Sequence, residues 1–298
     1  MSDHTTATEL DLPLIKSTAT SRFETVLQEN VQNVHRVFTV FDTYGAEGWV
    51  PTMLGGMGPS QEWVNTRVLH ESKEYAVRFT GKVYANGEKV KKETLRVSPV
   101  KTAAKIATMV ANDAKNEPYR RIMAALTSNV KGFDKDPLFG DHKYTNAADA
   151  QVYSNDMGGT NEPWFLVGPE SMVEVEAEGA GMQLQVYAGD NTGIDFMEDS
   201  MAFGWRRVAI YGAGFWGNSI RSGQALTSEN LRAALKRGAS FKNDKGQRLG
   251  SKYTHILVGQ GNAAAAEKLL KAQLIGGGDT NVDYGRLQLL VLDELTAE

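Results

Sequence analysis

The chain has 298 residues, a formal net charge of −4, 41% hydrophobic and 23% charged residues, 30 glycines, 8 prolines and no cysteine. Lack of cysteine excludes thiol catalysis, thiolate metal sites and disulfides, and the acidic sum excludes a protein that coats DNA through a basic stripe. The length suits about two domains, the first residues lack the basic head and apolar run of a signal peptide, and the longest uncharged apolar stretch, Val208 to Ile220, is shorter than the roughly 20 residues a membrane span needs, so a soluble protein is expected.

Residues 1–20 are Thr-rich and polar and read as an arm that orders only against a partner. Phe23, Val26, Leu27, Val31, Val34 and Phe38 have the spacing of a short amphipathic helix, and Val37 to Phe41 reads as a strand. Residues 42–60 hold Gly45, Gly48, Gly55, Gly56, Gly58, Pro51 and Pro59, a loop composition. Tyr75, Val77 and Phe79 alternate with Ala76, Arg78 and Thr80, and Asn86-Gly87 has the chemistry of a type I′ turn. The reading is a hairpin over 75–97, with Arg78 and Lys82 on the outgoing strand and Lys89, Lys91 and Lys92 on the return. Such a charged hairpin has little apolar surface to bury and is expected to lie across something else.

Ser98-Pro99 is a helix start, Ser at the N-cap and Pro at the first helical position. Ile106, Met109, Val110, Ile122, Met123 and Leu126 continue one long helix, with Pro118 expected to break or kink it near Lys115–Asn116. After a Gly- and Pro-containing stretch over 131–163, strands are expected at Trp164–Val167, Met172–Val175, Met182–Tyr187 and Trp205–Tyr211. A helix from Ser228 to Arg237 has Thr227 as N-cap and Gly238 as stop. Strand His255–Val258, a helix Ala263–Leu274 capped by Asn262 and closed by Gly276, and a final buried strand Leu287–Leu292 complete an α+β chain with a mixed sheet.

Four patterns invite a chemical reading. Gly212-Ala213-Gly214-Phe215-Trp216-Gly217 matches G-x-G-x-x-G, but residues 218–223 make a poor helix and no acidic strand end comes about 20 residues later. The favoured role is close backbone packing, and a nicotinamide-dependent oxidoreductase using Gly212–Gly217 stands only as an alternative. Gly259-Gln260-Gly261-Asn262-Ala263-Ala264 reads as an ordinary strand-to-helix turn. Ser98-Pro99-Val100-Lys101 matches S-x-x-K without its companion motifs, and the cap role accounts for Ser98. Asp134, Asp136, Asp141 and His142 could hold a metal, though loop aspartates more often form turns, and Glu174/Glu176 read as a solvated strand face. No catalytic, cofactor or metal site is assigned, and no enzyme is expected.

The order polar arm, charged hairpin, long helix, Gly-rich mixed-sheet region resembles the Hong Kong 97-type fold of tailed-phage major capsid proteins. Local wording is similar to the Mu-like major head subunit family. Glu62-Trp63-Val64-Asn65-Thr66-Arg67-Val68 looks like its EWVGDR segment. Pro118 to Leu126, then Pro137-Leu138-Phe139-Gly140-Asp141-His142, resembles its helix followed by FF-x-x-x-H. Leu249-Gly250, His255 to Val258 and Ala264 to Leu270 look like its LG…LVVP…A-x-x-LL block, and Asn281 to Leu295 resembles the strand after it. Phe203 to Arg207, with Gly212, Gly214 and Trp216, looks like its G-x-x-x-R…G-x-G-x-W strand, which here precedes that block, a permuted segment order.

The resemblance implies a major capsid protein of a tailed phage or prophage, in the virion, assembled in the host bacterial cytoplasm, with an encapsulin-type nanocompartment as the alternative shell. It implies an N-terminal arm (1–42), an extended loop (43–98), a peripheral domain (99–225) with spine helix 99–129, and an axial domain (226–298). Partners are copies of itself in pentamers and hexamers, with portal, scaffold and decoration proteins, and enclosed double-stranded DNA without sequence-specific binding; no cofactor and no membrane are expected. Expected inter-subunit contacts are Arg78, Lys82, Asn86, Gly87, Lys89, Lys91 and Lys92, with Gly276, Gly277 and Gly278 where close approach is needed.

Overall fold

The structure, a computed structural model, describes residues 10–29, 34–45, 53–54, 74–75, 79–143, 151–179, 181–187, 198–274 and 278–296. Helix α1 is Leu12–Gln28, so it begins inside residues 1–20, which were expected to form an arm. Asp11 makes the start, its carboxylate accepting the Leu14 N–H at 3.0 Å, with Pro13 in the first turn. Ile15, Ala19, Phe23 and Val26 then form one buried stripe. Thr-rich composition hid a capped amphipathic helix within the expected arm.

A 3-10 turn, Val34–Val37, leads to β1 (Thr39–Tyr44). β2 (Met53–Leu54) pairs antiparallel with β3 (Glu74–Tyr75), Met53 opposite Tyr75. β4 (Lys82–Lys91) and the short helix α2 (Lys92–Val97) precede the long helix α3, Pro99–Thr127. β5 (Asp141–His142), β6 (Tyr153–Ser154), β7 (Trp164–Val167), β8 (Met172–Ala177), β9 (Gln183–Tyr187), β10 (Ser200–Ala213) and β11 (Ser219–Ser222) come next. Helix α4 (Ser228–Ser240), β12 (His255–Val258), helix α5 (Gln260–Lys271) and β13 (Gln288–Val291) complete the order.

Two sheets carry the chain, both mixed. One runs β1-β8-β10-β4, with β9 also on β10; β1 and β8 are parallel and the other pairs antiparallel. The other runs β11-β7-β12-β13, with β12 and β13 parallel. Helix α3 serves both. Its first half buries Ala103, Ile106, Ala107 and Val110 with α1 and with Met201, Phe203 and Trp205 of β10. Its second half buries Ile122, Met123 and Leu126 in the larger core around Trp164, Leu166, Ile220, Ile256 and Leu257. The alanine-rich face lets α1 lie close, with Arg22 Nε donating to Thr108 Oγ1 at 3.0 Å and Lys115 Nζ to the Val26 carbonyl at 3.0 Å.

Several local expectations are corrected. Ser98 stands at the N-cap of α3, but its hydroxyl makes no capping bond. The one long helix expected from Pro99 is present and is not broken at Pro118. Gly238 does not stop α4, which runs to Ser240; its missing Cβ leaves room for the Tyr253 ring. α5 begins at Gln260 with Gly259 as N-cap, and Asn262 lies inside it, its Nδ2 donating to the Glu162 carbonyl at 2.8 Å. The final strand β13 is a half-exposed edge, not a buried strand.

The glycine motif 212–217 closes β10 and enters a 3-10 turn, Trp216–Asn218, before β11, so it opens no helix toward a pyrophosphate. Gly214 instead permits a close crossing: its N–H donates to the Ser171 carbonyl at 2.9 Å, and a Cβ there would stand 2.0 Å from the Glu170 carbonyl oxygen. Gly214→Ala is therefore expected to destabilise the fold by about 1–3 kcal/mol or more, whereas Gly140→Ala, whose Cβ would meet nothing within 4 Å, is expected to leave the melting temperature nearly unchanged. Thermal unfolding of the two variants checks the contrast.

Candidate functional site

The expected contact residues fall mainly on β4. Lys82, Asn86, Gly87, Lys89 and Lys91 lie on this one uninterrupted strand, paired with β10 from Ser200↔Lys91 to Ala209↔Lys82. The Asn86-Gly87 hairpin turn is thus corrected: Gly87 faces Gly204 across the ladder. Its side chain is missing for a steric reason, since a Cβ would lie 2.8 Å from the Phe203 carbonyl oxygen. Lys92 opens α2, its N–H bonded to the Asp199 carbonyl. Arg78, Gly276 and Gly277 lie outside the described residues, and Gly278 sits at φ +88°.

Several of these residues are engaged by side chains and carbonyls of neighbouring elements. Lys89 pairs with Glu198, and Lys92 reaches Asp199 at 4.0 Å. Asn86 Nδ2 donates to Asp113 Oδ2 of α3 at 2.8 Å. Asp113 is a junction: Trp205 Nε1 of β10 donates to it at 2.7 Å and Arg120 Nη2 at 2.8 Å. Burial pushes the Asp113 carboxyl up, but these three hydrogen bonds outweigh it and hold it below the usual carboxylate range. One turn on, Arg121 pairs with Glu117 and lies 4.8 Å over the Tyr84 ring of β4. β4 is thereby tied along the long helix, and Tyr75, where the hairpin was expected to start, pairs instead with Met53 of β2.

The sheet also buries charge that the sequence pattern placed in solvent. Glu174 is 1% exposed. Its Oε1 accepts from Arg207 Nη2 at 2.8 Å, and its Oε2 stands 3.2 Å from His35 Nε2. Arg207 also reaches Glu176 at 3.2 Å and the Tyr211 hydroxyl at 2.7 Å. Burial pushes Glu174 up, but the His35 hydrogen bond and the Arg207 charge hold it below the ordinary range. Glu174, Glu176, His35 and Arg207 line a cavity of about 540 Å³ between the end of α1, the 3-10 turn, α3 and the sheet, together with Arg36 and Lys115. The alternation Glu174-Val175-Glu176 and the run Gly204-Trp205-Arg206-Arg207 were the available signals. Neither shows that strands 33 residues apart would bring a carboxylate and a guanidinium together inside.

The loop aspartates do not gather around His142. Its ring stacks on Trp216 at 4.5 Å, Nδ1 stands 2.6 Å from Asp134, and Asp134 also accepts the Asp136 N–H. Among the described residues no group of three His, Asp or Glu side chains could hold a metal ion, and no helix is long and apolar enough to cross a membrane. The polar clusters described tie helix to sheet rather than converge on a reactant position.

Comparison with known proteins agrees with this architecture. The family model of the Mu-like prophage major head subunit gpT matches residues 12–295. The major capsid protein of Escherichia phage Mu is 26% identical over 270 residues, covering 85% of this chain and 86% of that protein. Among solved structures, the procapsid of bacteriophage JBD30 superposes with a TM-score of 0.75 at 18% identity, covering 95% of this chain and 98% of that one. The JBD30 capsid decorated with minor capsid protein trimers gives 0.72 at 14% identity over 97% and 100%.

Glu174→Gln leaves buried Arg207 with Glu176 at 3.2 Å as its remaining carboxylate and is expected to cost about 1–3 kcal/mol. With its folded-state pKa depressed, Glu174 contributes stability that is complete above the ordinary carboxylate range and lost as pH falls through the folded value. Melting temperature of the wild-type chain is therefore expected to drop below about pH 4, with a shallower drop in Glu174→Gln. Equal acid sensitivity in the two proteins would contradict the role given to Glu174.

Proposed function

Because the chain belongs to the family of Mu-like prophage major head subunits, we propose that its copies close into pentameric and hexameric rings that build an icosahedral shell around double-stranded DNA. The family places it among structural head proteins and not enzymes, in the capsid of the virion. The fold is α+β of the tailed-phage capsid type. The single observation carrying the reading is the family match over nearly the whole described chain. The encapsulin-type and nicotinamide-enzyme alternatives are not favoured: the match is to head subunits, and Gly212–Gly217 opens no helix.

In this reading the five-stranded sheet, α1 and the first half of α3 form the peripheral part. The four-stranded sheet with α4 and α5 forms the axial part, which then draws on β7 and β11 as well as on residues 226–298. Helix α3 is the spine. Residues 55–73 and residues 1–9, which lie outside the described residues, are the segments assigned in this reading to contacts with neighbouring copies. Heterologous contacts that close on themselves are the interface type such rings require. A mild net charge of −4 suits a container that encloses DNA without gripping it. Portal and scaffold proteins are further partners in this proposal. The JBD30 capsid carries minor capsid protein trimers, and a decoration protein is proposed here on that likeness.

Electron microscopy with light-scattering mass on the purified protein tests the reading. Closed shells, or rings of five and six, are expected; a compact dimer or tetramer would overturn it. Replacing residues 55–73 by a short Gly-Ser linker is expected to leave circular dichroism and melting unchanged while abolishing shell closure.

A further inference from the structure

The cavity of about 540 Å³ between the end of α1, the 3-10 turn, α3 and the five-stranded sheet joins charge, burial and unused hydrogen-bonding capacity. Each carboxylate on its wall already faces a cation of the chain. Glu174 and Glu176 share Arg207, at 2.8 and 3.2 Å, and Glu29 reaches Arg22 at 3.9 Å. The converse does not hold for the cations. Arg36 lies 5.9 Å over the Phe41 ring, and Lys115 Nζ donates to the Val26 carbonyl at 3.0 Å. Among the described residues neither of the two is paired with a carboxylate. Two cations therefore line the cavity with their charge unanswered, while every carboxylate there is neutralised by a neighbour.

Two lining residues also carry a buried polar atom with no hydrogen-bond partner in the chain, Arg207 Nε and His35 Nδ1. Such atoms are rare in folded proteins and call for a partner from outside the chain. Both residues are nearly sealed, Arg207 at 4% and His35 at 1% exposure. Their needs differ. Arg207 Nε–H can only donate. His35 Nε2 stands 3.2 Å from Glu174 Oε2, and the carboxylate accepts, so in the neutral ring the proton sits on Nε2 and Nδ1 is an acceptor. An ammonium has three donors, and Lys115 gives one of them to Val26. Donors thus come from three elements, Arg207 of β10, Lys115 of α3 and Arg36 of the 3-10 turn, against one acceptor on His35.

We infer that this cavity is a binding site for inorganic phosphate, with Arg207, Lys115 and Arg36 donating to its oxygens and its remaining O–H donating to His35 Nδ1. The charge sign follows from the two unanswered cations, and the choice among anions follows from His35. A carboxylate or a sulfate offers only acceptors at neutral pH and would set a lone pair against Nδ1. Phosphate keeps at least one O–H there, so it meets the three donors and the acceptor together. Leu27, Phe41, Pro118 and Met182 add apolar wall, and charge-assisted hydrogen bonds strengthen where water is displaced. An ion held in this way ties the 3-10 turn and the long helix to the sheet from inside one subunit. The inference is independent of how copies of the chain associate.

Calorimetric titration of the full chain with sodium phosphate at pH 7, against sodium sulfate at matched ionic strength, tests the site. Saturable binding of one phosphate per chain is expected, at least about tenfold tighter than sulfate, with a melting temperature that climbs as phosphate is added. Arg36→Gln changes an exposed side chain. It is expected to melt as wild type without phosphate and to bind at least about fivefold more weakly, and Arg36→Gln/Lys115→Gln more weakly still. Lys101→Gln/Lys105→Gln, at two exposed positions of α3 away from the cavity, is the control and is expected to bind as wild type. No saturable phosphate binding to wild type, or sulfate binding as tightly as phosphate, would overturn the inference. Binding that Arg36→Gln/Lys115→Gln keeps at full strength would mark an adventitious ion only and overturn it too. Nitrogen NMR of the His35 ring gives an answer that needs no variant: the Nδ1 signal is expected to move as phosphate is added, and an unmoved signal at saturation would contradict the site.

Discussion

Helix α3 is the constraint on which the rest depends, because one 29-residue rod supplies a wall to two separate cores. Its first half presents small residues to α1 and to β10, and its second half presents Ile122, Met123 and Leu126 to the four-stranded sheet. Neither core can change its position along the helix without moving the other, since ridges of packed side chains accept only discrete alignments. Strand β10 repeats the arrangement: Met201, Phe203 and Trp205 enter the smaller core and Ala213 enters the larger. Two elements shared between the cores therefore hold them as one frame.

Polar ties complete what the shared helix begins. Asp113 binds Asn86 and Trp205 from two strands, and Glu174 binds Arg207 and His35 across the sheet. Apolar packing alone tolerates small slides, whereas a buried charge that loses its partner carries a large penalty. The carboxylates therefore fix register where hydrophobic contact would leave it loose. This also changes how the basic character of β4 is understood. Lys89 is answered by Glu198 and Lys92 by Asp199, so the sequence's cationic stretch is in part an internal matter rather than an open docking strip.

What could be read from the sequence was whatever had a short-range cause. Trp164–Val167 and His255–Val258 were legible as apolar runs between turn residues and match β7 and β12 residue for residue. Thr227 was legible as the cap of α4 because the capping bond to Asn230 spans three residues. The failures have a common physical origin in distant partners. Asn86-Gly87 has local turn chemistry, but the long pairing with β10 and the need for glycine opposite Gly204 override it. Glu174 looked solvated because Arg207 lies 33 positions away. Residues 12–20 looked like an arm because threonine and alanine hid a stripe that only α3 completes. The family wording, by contrast, reached the correct class of protein where residue chemistry alone supplied only an absence of catalytic clusters.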